Sequence, residues 1–364
     1  TEGEETRKIV FSGDIGNTHQ PLLRDPQPIK EADYVVMEST YGDRSHGPRP
    51  DYVPALAAVL QDTFDRGGNL VIPSFAVGRT QEMLYFLRQI KEQNLVKGHE
   101  NFTVYVDSPM AVEATQVFKT SWAECYDEEA RTLVMQGVNP INFRGLKLSL
   151  SSDDSKAINF DSEPKVILSA SGMCEAGRIR HHLKHNLWRP ESTVLFVGYQ
   201  SPGTLGRALV EGAKEVKLFG ETIEVRCKVQ VLAGVSGHAD NEGLMNWVKN
   251  FESKPRTVFV THGEDEVCDI FANRLRSELG LAAAAPYNGA EYDLLTGSCL
   301  VVGNTQRIAK EEGGGKKREN PVFRRLLDAG YRLLNIIKAK EGHTNKELAR
   351  FASQVEALCD KWQD

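Results

Sequence analysis

Short apolar runs rich in Val, Ile and Phe recur along the first 303 residues, each followed by a small or polar turn and an amphipathic stretch of helical length. They fall at 8–11, 34–37, 70–73, 102–106, 166–168, 194–197, 229–232 and 258–260. Many are almost wholly apolar instead of alternating, the pattern of strands covered on both faces. Strand and helix in alternation predict a mixed or parallel α/β architecture. From 304 to 320 the periodicity stops and Gly313, Gly314 and Gly315 follow one another, which predicts a flexible linker. Beyond Pro321, residues Val322, Phe323, Leu326, Leu327, Leu333, Leu334, Ile336 and Ile337 recur at helical spacing. Thr344 with Glu347 then forms a capping-box signature opening a second helix through Leu358. A two-helix tail is expected, either docked as a structural element or serving a homodimer contact.

Composition narrows the function classes. With 40% hydrophobic and 26% charged residues over 364 positions, two domains and a tail fit the length. No run approaches the roughly 18 to 20 apolar residues of a membrane span, and the acidic start is unlike a signal peptide, so a soluble chain without membrane contact is expected. The six cysteines form no Cys-x-x-Cys pair, which fits a reducing, cytoplasmic setting better than a disulfide framework. A net charge of -6 argues against a generic nucleic-acid coat, because nonspecific affinity rests on many Lys and Arg contacts to phosphates. Any nucleic-acid contact must be local.

The residues just after the apolar runs carry the candidate chemistry. Open α/β sheets bind ligands outside the carboxyl ends of their strands. Asp14, Glu38, His238 and His262 each stand in such a place, although Gly, Ser and Asp are also ordinary turn residues. These types bind zinc or relay protons. They fall short of a full catalytic zinc set, since no His-x-His-x-Asp-His or His-Glu-x-x-His run is present. His181 and His185 share one helix face but lie among Arg178, Arg180, Lys184 and Arg189. That face reads as a basic surface meeting phosphate or as a plain solvated one. Gly234-Val235-Ser236-Gly237-His238 misses the nucleophile-elbow pattern at its last position, and no Walker A or Gly-x-Gly-x-x-Gly run exists. Cys174 reads as a buried or incidental thiol.

Taken in order, eight segments resemble the metallo-β-lactamase/β-CASP nucleases over about residues 7 to 303. They are Phe11-Ser12-Gly13-Asp14; Met37-Glu38-Ser39-Thr40-Tyr41-Gly42; Ile72-Pro73-Ser74-Phe75-Ala76-Val77-Gly78-Arg79; Asp107-Ser108-Pro109-Met110-Ala111; Ala170-Ser171-Gly172-Met173; Val197-Gly198-Tyr199-Gln200 with Gly203-Thr204-Leu205-Gly206; Ser236-Gly237-His238-Ala239-Asp240; and Val260-Thr261-His262-Gly263-Glu264. The likeness is to prokaryotic members related to the pre-mRNA 3′-end-processing endonuclease.

That resemblance implies zinc-dependent hydrolysis of RNA phosphodiesters, with two zinc ions in the intact protein. Asp14 matches the carboxylate bridging the metals and His262 the histidine completing the second. Glu38 and His238 match a pair in which the carboxylate orients an imidazole that protonates the leaving oxygen. His262 favours RNA over DNA as partner. Arg79, Ser171, Gly172, Gln200, Gly203 and Arg207 fall where relatives face substrate.

The implied fold is α/β, part of a metallo-β-lactamase αββα sandwich with an inserted Rossmann-like β-CASP domain and a C-terminal helical tail. Residues 1–43 and 235–303 are assigned to the metallo-β-lactamase layer, 44–234 to the insert, 304–320 to the linker and 321–364 to the tail. The family's His-x-His-x-Asp-His ligands should precede Asp14. The expectation is therefore a chain that lacks the N-terminal metallo-β-lactamase half, holds an incomplete zinc site and is inactive by itself. A noncatalytic RNA-binding or scaffold relative is the alternative.

Overall fold

The computed structural model describes residues 4–47, 51–232, 236–306, 333, 336–337 and 345–362. The chain divides into two units, Thr1–Thr305 and Gln306–Asp364. In the first unit the strands are β1 (Ile9–Phe11), β2 (Tyr34–Met37), β3 (Leu70–Pro73), β4 (Thr103–Val106), β5 (Leu146–Leu148), β6 (Lys165–Ser169), β7 (Thr193–Phe196), β8 (Glu215–Leu218), β9 (Glu221–Glu224), β10 (Lys228–Val231), β11 (Thr257–Val260), β12 (Ala283–Ala284), β13 (Glu291–Tyr292) and β14 (Cys299–Val301). The helices are α1 (Tyr52–Asp65), α2 (Arg79–Glu92), α3 (Pro109–Thr120), α4 (Trp122–Cys125), α5 (Glu128–Met135), α6 (Ser152–Phe160), α7 (Ile179–Asn186), α8 (Leu205–Val210), α9 (Asn241–Lys249) and α10 (Asp265–Leu279).

Two parallel sheets organise this unit. One has the order β1-β2-β11-β12 and the other β10-β7-β3-β6-β4-β5. The α/β class expected from the apolar runs is the one observed. Each of the eight runs is a strand, with edges displaced by at most one residue.

In the larger sheet the period-two alternation of a strand sorts side chains onto two faces. Leu70, Ile72, Val166 and Leu168 pack with Met83, Leu84 and Leu87 of α2 in one core, while Val71 and Ile167 pack with Ile179 and Leu183 of α7 and with Leu187 just after it in another. Helices α2 and α7 therefore cover opposite faces. Local signals end or start several helices: Ser108 caps α3 ahead of Pro109, Ser151 and Asp154 form a capping box on α6, and Gly280 closes α10 in the left-handed region.

A buried polar knot joins the ends of β4 and β5 with α6 and α7. Asp107, fully buried at the end of β4, accepts hydrogen bonds from Ser149 Oγ at 2.7 Å, Ser155 Oγ at 2.6 Å and Arg178 Nη1 at 2.7 Å, and meets His182 Nε2 at 2.6 Å. Burial alone would raise its carboxyl pKa. Hydrogen bonds from His182, Ser155, Ser149 and Arg178 outweigh that and hold it well below the usual carboxylate range.

Several elements depart from the pattern-based expectation. Strand β5 and the hairpins β8–β9 and β13–β14 are not all-apolar runs and were not foreseen. The His181 and His185 face is exposed but carries the tip of the β8–β9 hairpin. His181 stacks on Phe219 at 4.4 Å between ring centroids, and Lys184 pairs with Glu221 at 2.6 Å. Two side chains of this face are thus engaged by the hairpin.

In the second unit, α11 (Asn345–Trp362) runs four residues past the expected end at Leu358. Among its described side chains Leu348, Phe351 and Val355 are the half-buried ones, the i, i+3, i+7 spacing of one helix stripe. Most of the expected linker, most of the first tail helix, and Thr344 lie outside the described residues. Among the described residues no helix is long and apolar enough to cross a membrane.

Candidate active site

Three neighbouring parallel strands bring three of the four candidate residues together. β1, β2 and β11 run side by side, with Val10 opposite Val35 and Val258 opposite Val35, so the turns after them emerge at one edge. Those turns carry Asp14, Glu38 and His262. The fourth residue arrives from the segment after β10. His238 pairs with Gly16 in a β-bridge, fixed by Ala239 N–H donating to Ile15 O at 2.7 Å and Asn17 N–H to Gly237 O at 3.1 Å.

Glu38 and His238 form a tight dyad. Nδ1 of His238 lies 3.1 and 3.0 Å from the two carboxylate oxygens of Glu38. Glu38 is 2% exposed, and its oxygens also accept from the backbone N–H of Ile15 at 2.5 Å and of Thr40 at 3.3 Å. Burial pushes the Glu38 carboxyl up, but the hydrogen bonds from His238 and Thr40, the His238 charge and the Ile15 amide together bring it below its ordinary value. In turn the hydrogen bond to Glu38 raises the pKa of His238 against the opposing effect of burial, and the Glu38 and Asp14 charges add to the rise. The ring is thus held by one nitrogen, with the other, Nε2, turned toward Asp14.

Asp14 and His262 are open by contrast. Their side chains are 67% and 62% exposed, and His262 Nδ1 lies 3.6 Å from Asp14 Oδ1. His238 Nε2 is 4.0 Å from Asp14 Oδ2, and the two imidazoles face each other with centroids 6.1 Å apart. His262 adopts a left-handed backbone, φ 50°. The next residue has to be glycine, because a Cβ at Gly263 would lie 2.4 Å from Ser39 Oγ and 3.0 Å from Ser39 O. Gly263→Ala is expected to push the His262 turn away from Ser39 and cost about 1–3 kcal/mol, the usual range for overpacking. A thermal midpoint equal to wild type would show that the turn relaxes freely.

The donor chemistry fits a divalent cation. Asp14, Glu38 and His238 offer ligand atoms within 4.8 Å of one another. Glu38, however, has both oxygens committed to His238, Ile15 and Thr40, which makes it an orienting group. Asp14 and His262, with side chains largely exposed, are the pair left open to face an ion. A cavity of about 490 Å³ is bordered by Ile15, Gly16, Asp25, His46, Asp240 and Trp247, and none of the four candidate residues lines it.

The residues expected to face substrate are placed less uniformly. Arg79 is buried and ion-paired with Glu82, with its guanidinium nearest the Gly237 turn beside His238. Gln200 is buried and donates to Gly172 O at 3.0 Å. Gly172 is itself buried, and Ser171 is half-buried. Gly203 sits in the left-handed region at the surface. Arg207 is partly exposed and paired with Glu211 at 2.6 Å. Cys174 is buried, its thiol pushed up to about 12 by that burial, which leaves it protonated at neutral pH.

Sequence reasoning missed Thr40, whose hydroxyl lies 3.4 Å from His262 Nδ1, and Tyr199, whose hydroxyl donates to Glu264 at 3.0 Å. Both lie in turns already singled out, but neither residue type marks a site by itself.

Comparison with known proteins places domain signatures on this framework. Residues 80–209 match the Beta-Casp domain, and residues 222–286 match the Zn-dependent metallo-hydrolase RNA specificity domain. The chain is 39% identical over 264 residues to Ribonuclease TTHA0252 of Thermus thermophilus, covering 72% of this chain and 58% of that protein. It is 33% identical over 296 residues to Transcription termination factor FttA of Methanosarcina mazei, covering 79% and 46% respectively. To an RNase J-like protein of Methanocaldococcus jannaschii it is 32% identical over 291 residues, covering 78% and 64%. The aligned part thus spans roughly half to two thirds of each relative's length.

Proposed function

The chain belongs to the metallo-β-lactamase/β-CASP family of RNA nucleases, and from that premise we propose that it carries the general acid and two of the metal donors of a zinc-dependent RNA phosphodiesterase. The observation that supports this most directly is the Glu38–His238 dyad, whose free nitrogen faces the open Asp14 and His262 pair. Residues 44–234 are taken as the inserted domain and 1–43 with 235–303 as the layer that holds the dyad.

Zinc ions held there would supply Lewis-acid stabilisation of the phosphate and an activated water at neutral pH. Everything else falls to side chains. Asp14 and His262, both largely exposed, would hold the metal. Glu38 fixes the His238 ring through Nδ1, so that Nε2 carries the proton toward the leaving oxygen of the scissile phosphate. The raised pKa of His238 keeps that proton available.

Two donors are fewer than the three protein ligands of a usual catalytic zinc. This chain alone is therefore expected to hold less than one equivalent of zinc by elemental analysis, and two tightly bound ions would mean that other ligands exist in it. The functional reading is tested on the intact protein with an end-labelled single-stranded RNA. Cleavage should stop on chelation and return with added zinc. Cleavage that persists after chelation sinks metal-dependent hydrolysis, and binding without cleavage favours the scaffold reading.

A further inference from the structure

The order of the larger sheet contains a place where the chain changes direction. From β3 the chain crosses over β6 to reach β4, whereas from β6 it crosses back over β3 to reach β7. The helices of these two crossovers, α2 and α7, lie on opposite faces of the sheet. The loops after β3 and β6 therefore part in opposite directions, and the crevice between them, outside the carboxyl ends of adjacent strands, is where open α/β sheets bind ligands. Pro73 pairs with Ser169 in register, so the two loops leave from the same level.

The loop after β3 presents an aromatic ring to that crevice. Phe75 is 47% exposed, which is unusual for a residue in so constrained a loop. Its carbonyl accepts from the Thr80 hydroxyl at 2.7 Å and the Thr80 N–H at 3.3 Å, and the next carbonyl, that of Ala76, accepts from Gln81 Nε2 at 3.1 Å. The Ser74 hydroxyl is buried against Thr80 Oγ1 at 2.7 Å. The backbone that carries the ring is thus fully tied down while the ring itself meets solvent.

The loop after β6 supports the ring from one side. A Cβ at Gly172 would lie 3.1 Å from two Phe75 ring atoms and 3.2 Å from its backbone nitrogen. Gly172 is held in turn by Gln200 Nε2 on its carbonyl at 3.0 Å, and Met173 O accepts from Gly206 N–H at 3.1 Å. Loops from β3, β6 and β7 interlock around one exposed aromatic. At the far end of the same β3 loop, Arg79 abuts the Gly237 turn that carries His238. The β3 loop that carries the ring thus ends against the turn that carries His238.

An aromatic ring held out on a loop that reaches the turn carrying His238 has an evident use in holding RNA. Every nucleic-acid base has a π-face, and stacking on an aromatic side chain holds single strands without reading their sequence. A pre-ordered ring also loses little conformational freedom on binding. We propose that Phe75 is a stacking platform for one base of a single-stranded RNA, lodged in the crevice between the β3 and β6 loops. This rests on the RNA reading of the site given above, but it requires neither metal nor cleavage.

The test uses the chain itself, a fluorescein-labelled single-stranded RNA of mixed sequence, and a set of the same RNA with one abasic residue moved along it. Fluorescence anisotropy should show Phe75→Ala weakening binding roughly 5- to 150-fold, the range a stacked base contributes. Phe75→Trp should bind at least as tightly as wild type, and Phe75→Leu, which keeps apolar bulk without a ring, should resemble Phe75→Ala. One abasic position should weaken binding to the wild-type chain by a similar factor and have no effect on Phe75→Ala. If wild type binds RNA and no abasic position is coupled to Phe75, the platform is wrong and the RNA reading stands. A wild-type chain with no affinity for single-stranded RNA overturns both. Coupling observed in a chain that does not cleave supports the platform and leaves the hydrolase reading, which is tested on the intact protein, as it was.

Discussion

Replacing His238 by alanine in the intact protein should lower cleavage of single-stranded RNA by roughly two to four orders of magnitude, the usual contribution of a positioned general acid. Zinc content should stay at the wild-type level. The separation of the two effects follows from the geometry. His238 is clamped by Glu38 through Nδ1, and its Nε2 is 4.0 Å from the nearer Asp14 oxygen, beyond hydrogen-bonding distance. The metal donors proposed here, Asp14 and His262, come from other turns and keep their places without the ring. Glu38→Gln provides a graded control. Its amide still fills the buried site under the Ile15 and Thr40 amides but removes the charge that steadies the imidazolium, so turnover should fall less than in the alanine variant. Single-turnover rates on saturating RNA, with zinc measured on the same samples, separate the possibilities. Unchanged turnover in His238→Ala would remove the dyad from the mechanism, and loss of zinc in step with activity would make His238 a ligand instead of an acid.

How much of this was legible beforehand depended on which signal each element carried. The central strands β3, β6 and β7 are buried at every position, and a doubly buried strand writes itself as continuous Val, Ile and Leu, while the edge strands β1 and β10 carry apolar runs that stay largely exposed. Strands β8 and β9 escaped because they are amphipathic. Val216 and Leu218 are buried while Glu215 and Lys217 are exposed, and the hairpin signal lay in this alternation around Phe219-Gly220. Asp14, Glu38 and His262 were found because parallel strands deliver their following turns to one edge, so position in the chain stood in for position in space. Which partner each side chain would take was not legible. Both His182 and His238 sit against carboxylates. Yet His182 has its two ring nitrogens buried against Asp107 and Asn159, while His238 keeps one turned toward Asp14. The sequence drew attention to His181 and His185 by their spacing and passed over the buried His182 between them. Phe75 lay in a noted motif, but nothing in the sequence distinguishes an aromatic buried under a loop from one held out of it.

The buried knot at Asp107 leads to the largest expected effect on stability. Asp107→Ala removes a fully buried carboxylate and strands the fully buried His182 ring, the Arg178 guanidinium, which is 20% exposed, and the Ser149 and Ser155 hydroxyls. Breaking one side of a buried ion pair typically costs about 3–5 kcal/mol, more than the pair itself contributes, because the remaining groups cannot regain their water. Urea denaturation should show that loss as a lower midpoint. The pH dependence gives an independent reading. Since the folded-state pKa of Asp107 lies below the value near 3.8 expected when unfolded, its charge stabilises the fold fully above that pH. The stabilisation is lost as pH falls from there through the folded value, where the unfolded chain binds the proton first. Wild type should therefore lose stability more steeply than Asp107→Asn below about pH 4, and the gap between the two should narrow as the medium becomes more acid. A gap that stays constant down to the acid unfolding limit would mean that the Asp107 charge contributes nothing and that the knot is held by its neutral hydrogen bonds. Because Arg178 opens α7 directly after the loop carrying Ser171 and Gly172, and its Nη2 also holds Leu150 O at 2.7 Å, the same substitution should loosen the β6 loop first. Hydrogen exchange would then show the amides of Cys174 and Ile179, which bond to Ser171 O and Ala170 O, losing protection ahead of the strands beneath them.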